Sequence, residues 1–394
     1  MRQFIFCLSF VGYFPPTFRR LSCPRSRQER LIVKSVDLLR KKRRPLARGG
    51  VRFGFLVMAL IGLATLAFSY RQDEVTPAPR PRSKGAQSTV RTITPIPFGV
   101  MNGDDVYNAS GVVPLADSRF LFCDNNSNDA LFELNLTADG HMDGPLIRRP
   151  LQGIPPGAVN DLEAMTIARE KGHRYIFVAS SLSVKITKGE ESKRVPLNGL
   201  LRVRVNHNGS LSAENMPDFR DWFVRHAPDI GASATLVPDE GGLNIEGLAW
   251  DDRRHALLFG LRTPLGTGGP LVIPVRVKNL AGPWTTGNLE MLAPIRLALD
   301  GKDGAQGIRS IEYIAKLHSF LVIVGKAISK SKVPFALYEW DGDEQGSMRR
   351  LDVSFAEKMK PEGITGGKIG GKPALLFLDD GGGYQVLWLH KAEL

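Results

Sequence analysis

A short pattern recurs through residues 91–394 of this chain, and recurrence on the scale of tens of residues constrains a fold more than any single element does. The segments DLEAMT (161–166), NIEGLA (244–249), RSIEYI (309–314) and KPEGIT (360–365) share a glutamate, then a small or aromatic residue, then apolar positions. A degenerate copy, ASGVV (109–113), carries Ser110 where the glutamate stands. Each copy is followed by a short apolar run: FLFCD (120–124), YIFVASS (175–181), ALLFGLR (256–262), FLVIVGK (320–326) or ALLFLDD (374–380). A third run follows in turn, at ALFELNL (130–136), GLLRVRV (199–205), GPLVIPVRV (269–277), FALYEWD (335–341) and YQVLWLH (384–390). Runs this short, bounded by polar residues and glycine, read as strands.

Fourth strands are expected at PLIRRPL (145–151), ATLV (234–237), MLAPIRLAL (291–299) and MRRLDV (348–353), leaving only the last copy without one. The unassigned segment RTITPIPF (91–98) supplies it if the two chain ends pair. The expected fold is an all-β propeller with five visible four-stranded blades, closed by this N-terminal strand. A sixth blade has room within residues 181–243, so the total is five or six. In residues 217–229, Phe219, Trp222, Phe223 and His226 fall at i, i+3, i+4 and i+7, which predicts a short amphipathic helix inserted between strands.

Charge divides the chain sharply. Residues 1–52 hold 14 Lys and Arg against Glu29 and Asp37, which accounts for the whole net charge of +12; the remainder has 38 basic and 38 acidic residues. A balanced domain has no net field to attract a polyanion, so nucleic acid is not an expected partner. Residues 53–70 (FGFLVMALIGLATLAFSY) carry no charge and are of about the length of a membrane-spanning helix or a signal peptide. The run KKRR (41–44) precedes them, and a basic flank of this kind stays cytoplasmic. The expected order is a basic leader (1–52), a membrane or signal helix (53–70), a Pro- and Ser-rich linker (71–90) and a propeller (91–394). This places the propeller in the periplasm, tethered to the inner membrane or released if Ala67-Phe68-Ser69 is cleaved. Val51 would be the true start if residues 1–50 are an upstream misreading.

Three motifs carry a resemblance. NIEGLAW (244–250), FGLRTPL (259–265) and KPEGIT (360–365) resemble a bacterial family known as domain of unknown function 3616. More distantly, the Glu-Gly-apolar pattern resembles phytase-like, esterase-like and gluconolactonase-like propellers. That likeness implies that such a glutamate opens the innermost strand of a blade and, in some members, helps hold calcium at the channel mouth.

Glu163, Glu246, Glu312 and Glu362 match the pattern residue by residue, and Ser110 departs from it. Four carboxylates at one end of a ring need a counter-charge, and calcium, which accepts six to eight oxygens, meets that need. Arg309 and Lys360 are the competing solution, as ion-pair partners within the ring. Asp124, Ser180, Arg262, Lys326 and Asp379 end the second strands; among them Arg262 and Lys326 are the expected catalytic cations, gripping an anionic ligand, and an ion pair with a ring glutamate is the alternative for Arg262. The loop DNNSND (124–129) reads as an Asx-rich turn, and Cys123 as a buried small hydrophobe.

No G-x-S-x-G, P-loop, H-E-x-x-H or G-x-G-x-x-G element is present, and the histidines are scattered. Two functions remain. One is a calcium-dependent hydrolase of phosphate or other esters; the other is a non-enzymatic propeller that binds a small anionic ligand or a partner in the cell envelope.

Overall fold

Short strands with buried middles dominate the described residues because their apolar residues recur in short runs, too short for helices and bounded by turn residues. The computed structural model describes residues 90–98, 108–187, 193–301 and 303–389, all within the unit Gly85–Leu394. The leader, the apolar segment 53–70 and nearly all of the linker lie outside the described residues. Among the described residues, no helix is long and apolar enough to cross a membrane.

The strands are β1 (Arg91–Ile93), β2 (Ile96–Pro97), β3 (Ala109–Ala116), β4 (Arg119–Asp124), β5 (Ala130–Asn135) and β6 (Ile147–Gln152). They continue with β7 (Leu162–Glu170), β8 (His173–Ser180), β9 (Val184–Ile186), β10 (Arg194–Pro196), β11 (Leu200–Val205) and β12 (Leu211–Asn215). After the helix α1 (Phe219–His226) come β13 (Asn244–Asp251), β14 (Ala256–Thr263), β15 (Leu271–Val277), β16 (Leu289–Met291) and β17 (Ile295–Arg296). The rest are β18 (Gln306–Ile314), β19 (Ser319–Lys326), β20 (Ala336–Trp340), β21 (Met348–Arg350), β22 (Val353–Phe355), β23 (Pro361–Ile369), β24 (Lys372–Asp379) and β25 (Gly383–Trp388).

Antiparallel pairing groups these strands as β3-β4-β5-β6, β7-β8-β11-β12, β13-β14-β15-β16, β18-β19-β20-β21 and β23-β24-β25-β2. The first two groups fuse into one eight-stranded sheet, because β6 and β12 pair in parallel at their outer edges, Leu151 opposite Leu211. The first strands of the groups touch in cyclic order: β3 meets β7, β7 meets β13, β13 meets β18, β18 meets β23, and β23 returns to β3. An apolar cluster fills each gap. Val113, Leu121, Met165 and Val178 lie between the first and second groups, and Phe122, Leu376 and Tyr384 between the fifth and the first. The inner strands are therefore buried on both faces; β13 has no exposed residue, whereas the outer strand β6 is mostly exposed.

The chain ends meet as expected, with a refinement. Ile96 and Pro97 pair with Tyr384 and Gly383, but Arg91–Ile93 runs parallel to β22 instead. One expected strand is replaced: ATLV (234–237) begins in a 3-10 turn, and β12 is the fourth strand of the second group. Residues 181–243 hold the small β9–β10 hairpin, β11, β12 and α1, with no further four-stranded group among the described residues. The helix forms where its periodicity predicts and buries Phe219 and Phe223 against Phe259.

Candidate functional site

Every inner strand carries a β-bulge one to three residues from its start, and these bulges build the site. In β7 the partners jump from Leu162–Ser180 to Ala164–Ala179, leaving Glu163 unpaired. The same slip leaves out Glu246 between Ile245 and Gly247, Arg309 between Ile308 and Ser310, and Glu362 between Pro361 and Gly363. In β3 it falls between Ala109 and Val112, which puts Ser110 at the matching place. A bulge residue is free of the ladder and can be aimed away from the sheet. The five equivalent residues are thus Ser110, Glu163, Glu246, Arg309 and Glu362.

What repeats is a bulge residue followed by a small one: Gly111, Ala164, Gly247, Ser310 and Gly363. Space explains the small residue. A Cβ on Gly111 would lie 2.2 Å from the backbone nitrogen of Met165, and one on Gly363 would lie 2.5 Å from the carbonyl oxygen of Ser110. Neighbouring inner strands approach too closely there for a larger side chain.

Glu312 does not belong to this ring. The glutamate match had set it beside the other three, but the register gives that place in β18 to Arg309, and Glu312 lies three residues, about 10 Å, further along the strand. It accepts a hydrogen bond from Thr365 Oγ1 on β23 at 3.2 Å. Lys360 is also displaced from its expected role, since its Nζ pairs with Asp380 at 2.9 Å. Of the second-strand set, Asp124, Ser180 and Asp379 stand at matching register positions, Arg262 one residue beyond and Lys326 two. Arg262 still reaches the ring; Lys326 has no ion-pair partner among the described residues.

The ring is a chain of contacts between neighbouring groups. Ser110 Oγ donates to Glu163 Oε2 at 2.8 Å, and Asn125 Nδ2, from the Asx turn after β4, donates to Oε1 at 3.1 Å. That turn is held by the Asn126 amide on Asp124 at 2.7 Å. Glu246 Oε1 receives Arg262 Nη1 at 2.8 Å and Asn244 Nδ2 at 3.0 Å. Arg262 Nε in turn donates to the Ala327 carbonyl at 2.8 Å. Arg309 Nε lies 2.8 Å from Glu246 Oε2, and its Nη2 contacts Glu362 Oε1. Arg309 thereby bridges β13 and β23, its side chain only 4% exposed.

These surroundings raise the pKa of two of the carboxyls. Burial pushes Glu163 well above the usual carboxylate range, with Asp161 and Glu246 adding to the rise and the Ser110 and Asn125 hydrogen bonds opposing it. Burial raises Asp161 as well, against the pull of a hydrogen bond from Ser181. Glu246 faces two guanidinium groups. The site therefore sets a carboxyl that favours its proton near a carboxylate paired with two arginines.

The four glutamates expected to hold calcium are not all brought together. Glu312 stands apart, Arg262 and Arg309 occupy Glu246, and Arg309 occupies Glu362. Among the described residues no group of three His, Cys, Asp or Glu is placed to hold a metal ion. Cys123 is buried, as expected of a small hydrophobe.

No protein-family model matches the chain, and no curated protein is similar to it. The likeness to the domain of unknown function 3616 rests on the three motifs alone. Among solved structures, the chain is similar to a thermostable family-43 glycoside hydrolase at 10% identity and a TM-score of 0.40, over 76% of this chain and 94% of that one. It is also similar to an α-L-arabinofuranosidase from Lactobacillus brevis (10% identity, TM-score 0.39, 72% and 91%). A third is an α-L-arabinanase from Cellvibrio cellulosa (12%, 0.36, 73% and 92%). Likenesses this loose transfer no residue or activity to the present chain.

Proposed function

We propose that the chain is a five-bladed propeller, exported behind residues 53–70, whose bulge ring is the acid–base site of a hydrolase for oxygen-linked substrates such as esters. The observation that carries this reading is Glu163: a buried carboxyl that favours its proton, held by Ser110 and Asn125 and set near the ion-paired Glu246. Glu163 would protonate the departing alcohol. Asp161, two residues before Glu163 and bonded by Ser181, would take a proton from the attacking water. Arg262 would orient an anionic part of the substrate, the role expected of it from sequence.

The test is hydrolysis by the full chain of paired ethyl and 4-nitrophenyl esters, followed by proton release. An alkyl alkoxide leaves only with a proton, whereas nitrophenolate leaves without one. Glu163→Gln should therefore cut turnover of the ethyl ester by about 10²–10⁴ and spare the nitrophenyl ester more. Equal effects on both, or no turnover by the unaltered protein, reject the reading.

A second reading is favoured by Arg309, whose bridge from Glu246 to Glu362 ties three inner strands together. Here the ring is a polar lock, and the protein is a non-enzymatic propeller that binds a small anion or an envelope partner. Calcium is distinguished in the same preparation: a saturable rise in melting temperature after chelator dialysis would restore a metal role for the ring.

A further inference from the structure

The opposite end of the inner strands opens into a cavity of about 410 Å³ that the bulge ring does not touch. All five inner strands or the turns directly after them line it, through Pro114, Thr166, Arg169, Trp250, Glu312 and Lys368, among others. Its volume is that of a small-molecule pocket. Lys316 and Asp252 stand on its wall, and Ile167, Tyr313, Ile314 and Leu389 supply apolar surface.

We propose that this cavity binds a small organic anion, its apolar body against Ile167, Tyr313 and Leu389 and its charged head among Arg169, Lys316, Lys368 and Glu312. The three cations outnumber the two carboxyl groups on the wall, Asp252 and Glu312, and Asp252 is already engaged by the Trp250 indole N–H. No ion pair occupies Arg169, Lys316 or Lys368 among the described residues, and all three are exposed. Glu312 completes the set. Burial pushes its carboxyl up to about 8, so near neutral pH it carries a proton, and its one hydrogen bond among the described residues is from Thr365. A protonated carboxyl donates to an anion; an ionised one repels it.

The experiment is calorimetric titration of the full chain with 4-nitrobenzoate and with its uncharged methyl ester, between pH 7 and 9. The expected result is saturable binding of the benzoate, at least tenfold weaker for the ester, with benzoate affinity falling steeply above pH 8. Glu312→Gln keeps a neutral donor and should bind at pH 7 while losing most of that fall. What slope remains in this variant measures the share of Arg169, Asp252, Tyr313, Lys316 and Lys368, the other groups facing the cavity. Lys316→Gln, at an exposed position that leaves folding intact, should weaken benzoate severalfold. Equal affinity for acid and ester, an unchanged slope in Glu312→Gln, or no benzoate binding at pH 7 overturns the proposal. None of these outcomes depends on turnover at the bulge ring.

Discussion

Arg309→Met removes the one side chain that joins Glu246 to Glu362, and the structure sets the size of the effect. Glu246 keeps Arg262 at 2.8 Å, but Glu362 loses its ion-pair partner while remaining buried. Leaving one buried charge uncompensated costs about 3–5 kcal/mol. With an unfolding entropy of about 2.1 cal/mol/K per residue, a unit of some 300 residues loses about 1.6 °C for each kcal/mol, so melting should fall by about 5–8 °C. The loss should also depend on pH. Without the arginine, the Glu362 carboxyl rises in the folded state above its unfolded value near 4.3, so the folded protein binds the extra proton. Stability relative to the unaltered protein is then best below pH 4.3 and declines as pH rises through the new folded value. Scanning calorimetry from pH 4 to 8 reads both effects. Adding Glu362→Gln should recover most of the loss at pH 7 and flatten the profile. A fall below about 2 °C, or no recovery in the double variant, would show that the bridge is not what holds these strands together.

Close approach at the ring gives a second expectation: Gly363→Ala forces a Cβ against the Ser110 carbonyl, and the urea midpoint should fall by an amount worth about 1–3 kcal/mol. Closure gives a third. A chain starting at residue 100 lacks β2 and exposes the edge of β25, so light scattering should show it to be more prone to associate than one starting at residue 90, with a lower melting temperature.

Much of this architecture was legible in the chain itself. Each blade repeats one order of apolar runs, and the count of runs against blades left RTITPIPF (91–98) as the strand to close the last one. Strand positions follow from local hydrophobicity, which needs no tertiary knowledge, and so does α1, whose apolar stripe has a helical period. The Asx turn at Asp124–Asn126 was legible because its side chain bonds its own backbone two residues on.

The site was only half legible. Glu163, Glu246 and Glu362 lie at equivalent places because each is a bulge residue followed by Ala or Gly. Glutamate identity led to Glu312, while the equivalent residue in that blade is Arg309, which shares the bulge and the small follower but not the charge. The alternation of Arg309-Ser310 with Glu-Gly elsewhere was the available signal. Sequence identity ranks residues by type, whereas register is decided by which carbonyl meets which amide across two strands, and a slip of one residue there redirects a side chain. By itself the sequence determined that this chain makes short strands in a repeating order whose ends must meet. Only the tertiary structure decided which residues share the bulge ring, because a bulge is a property of paired strands, and the pairing replaced one of four expected like charges with Arg309, which pairs with Glu246 and Glu362.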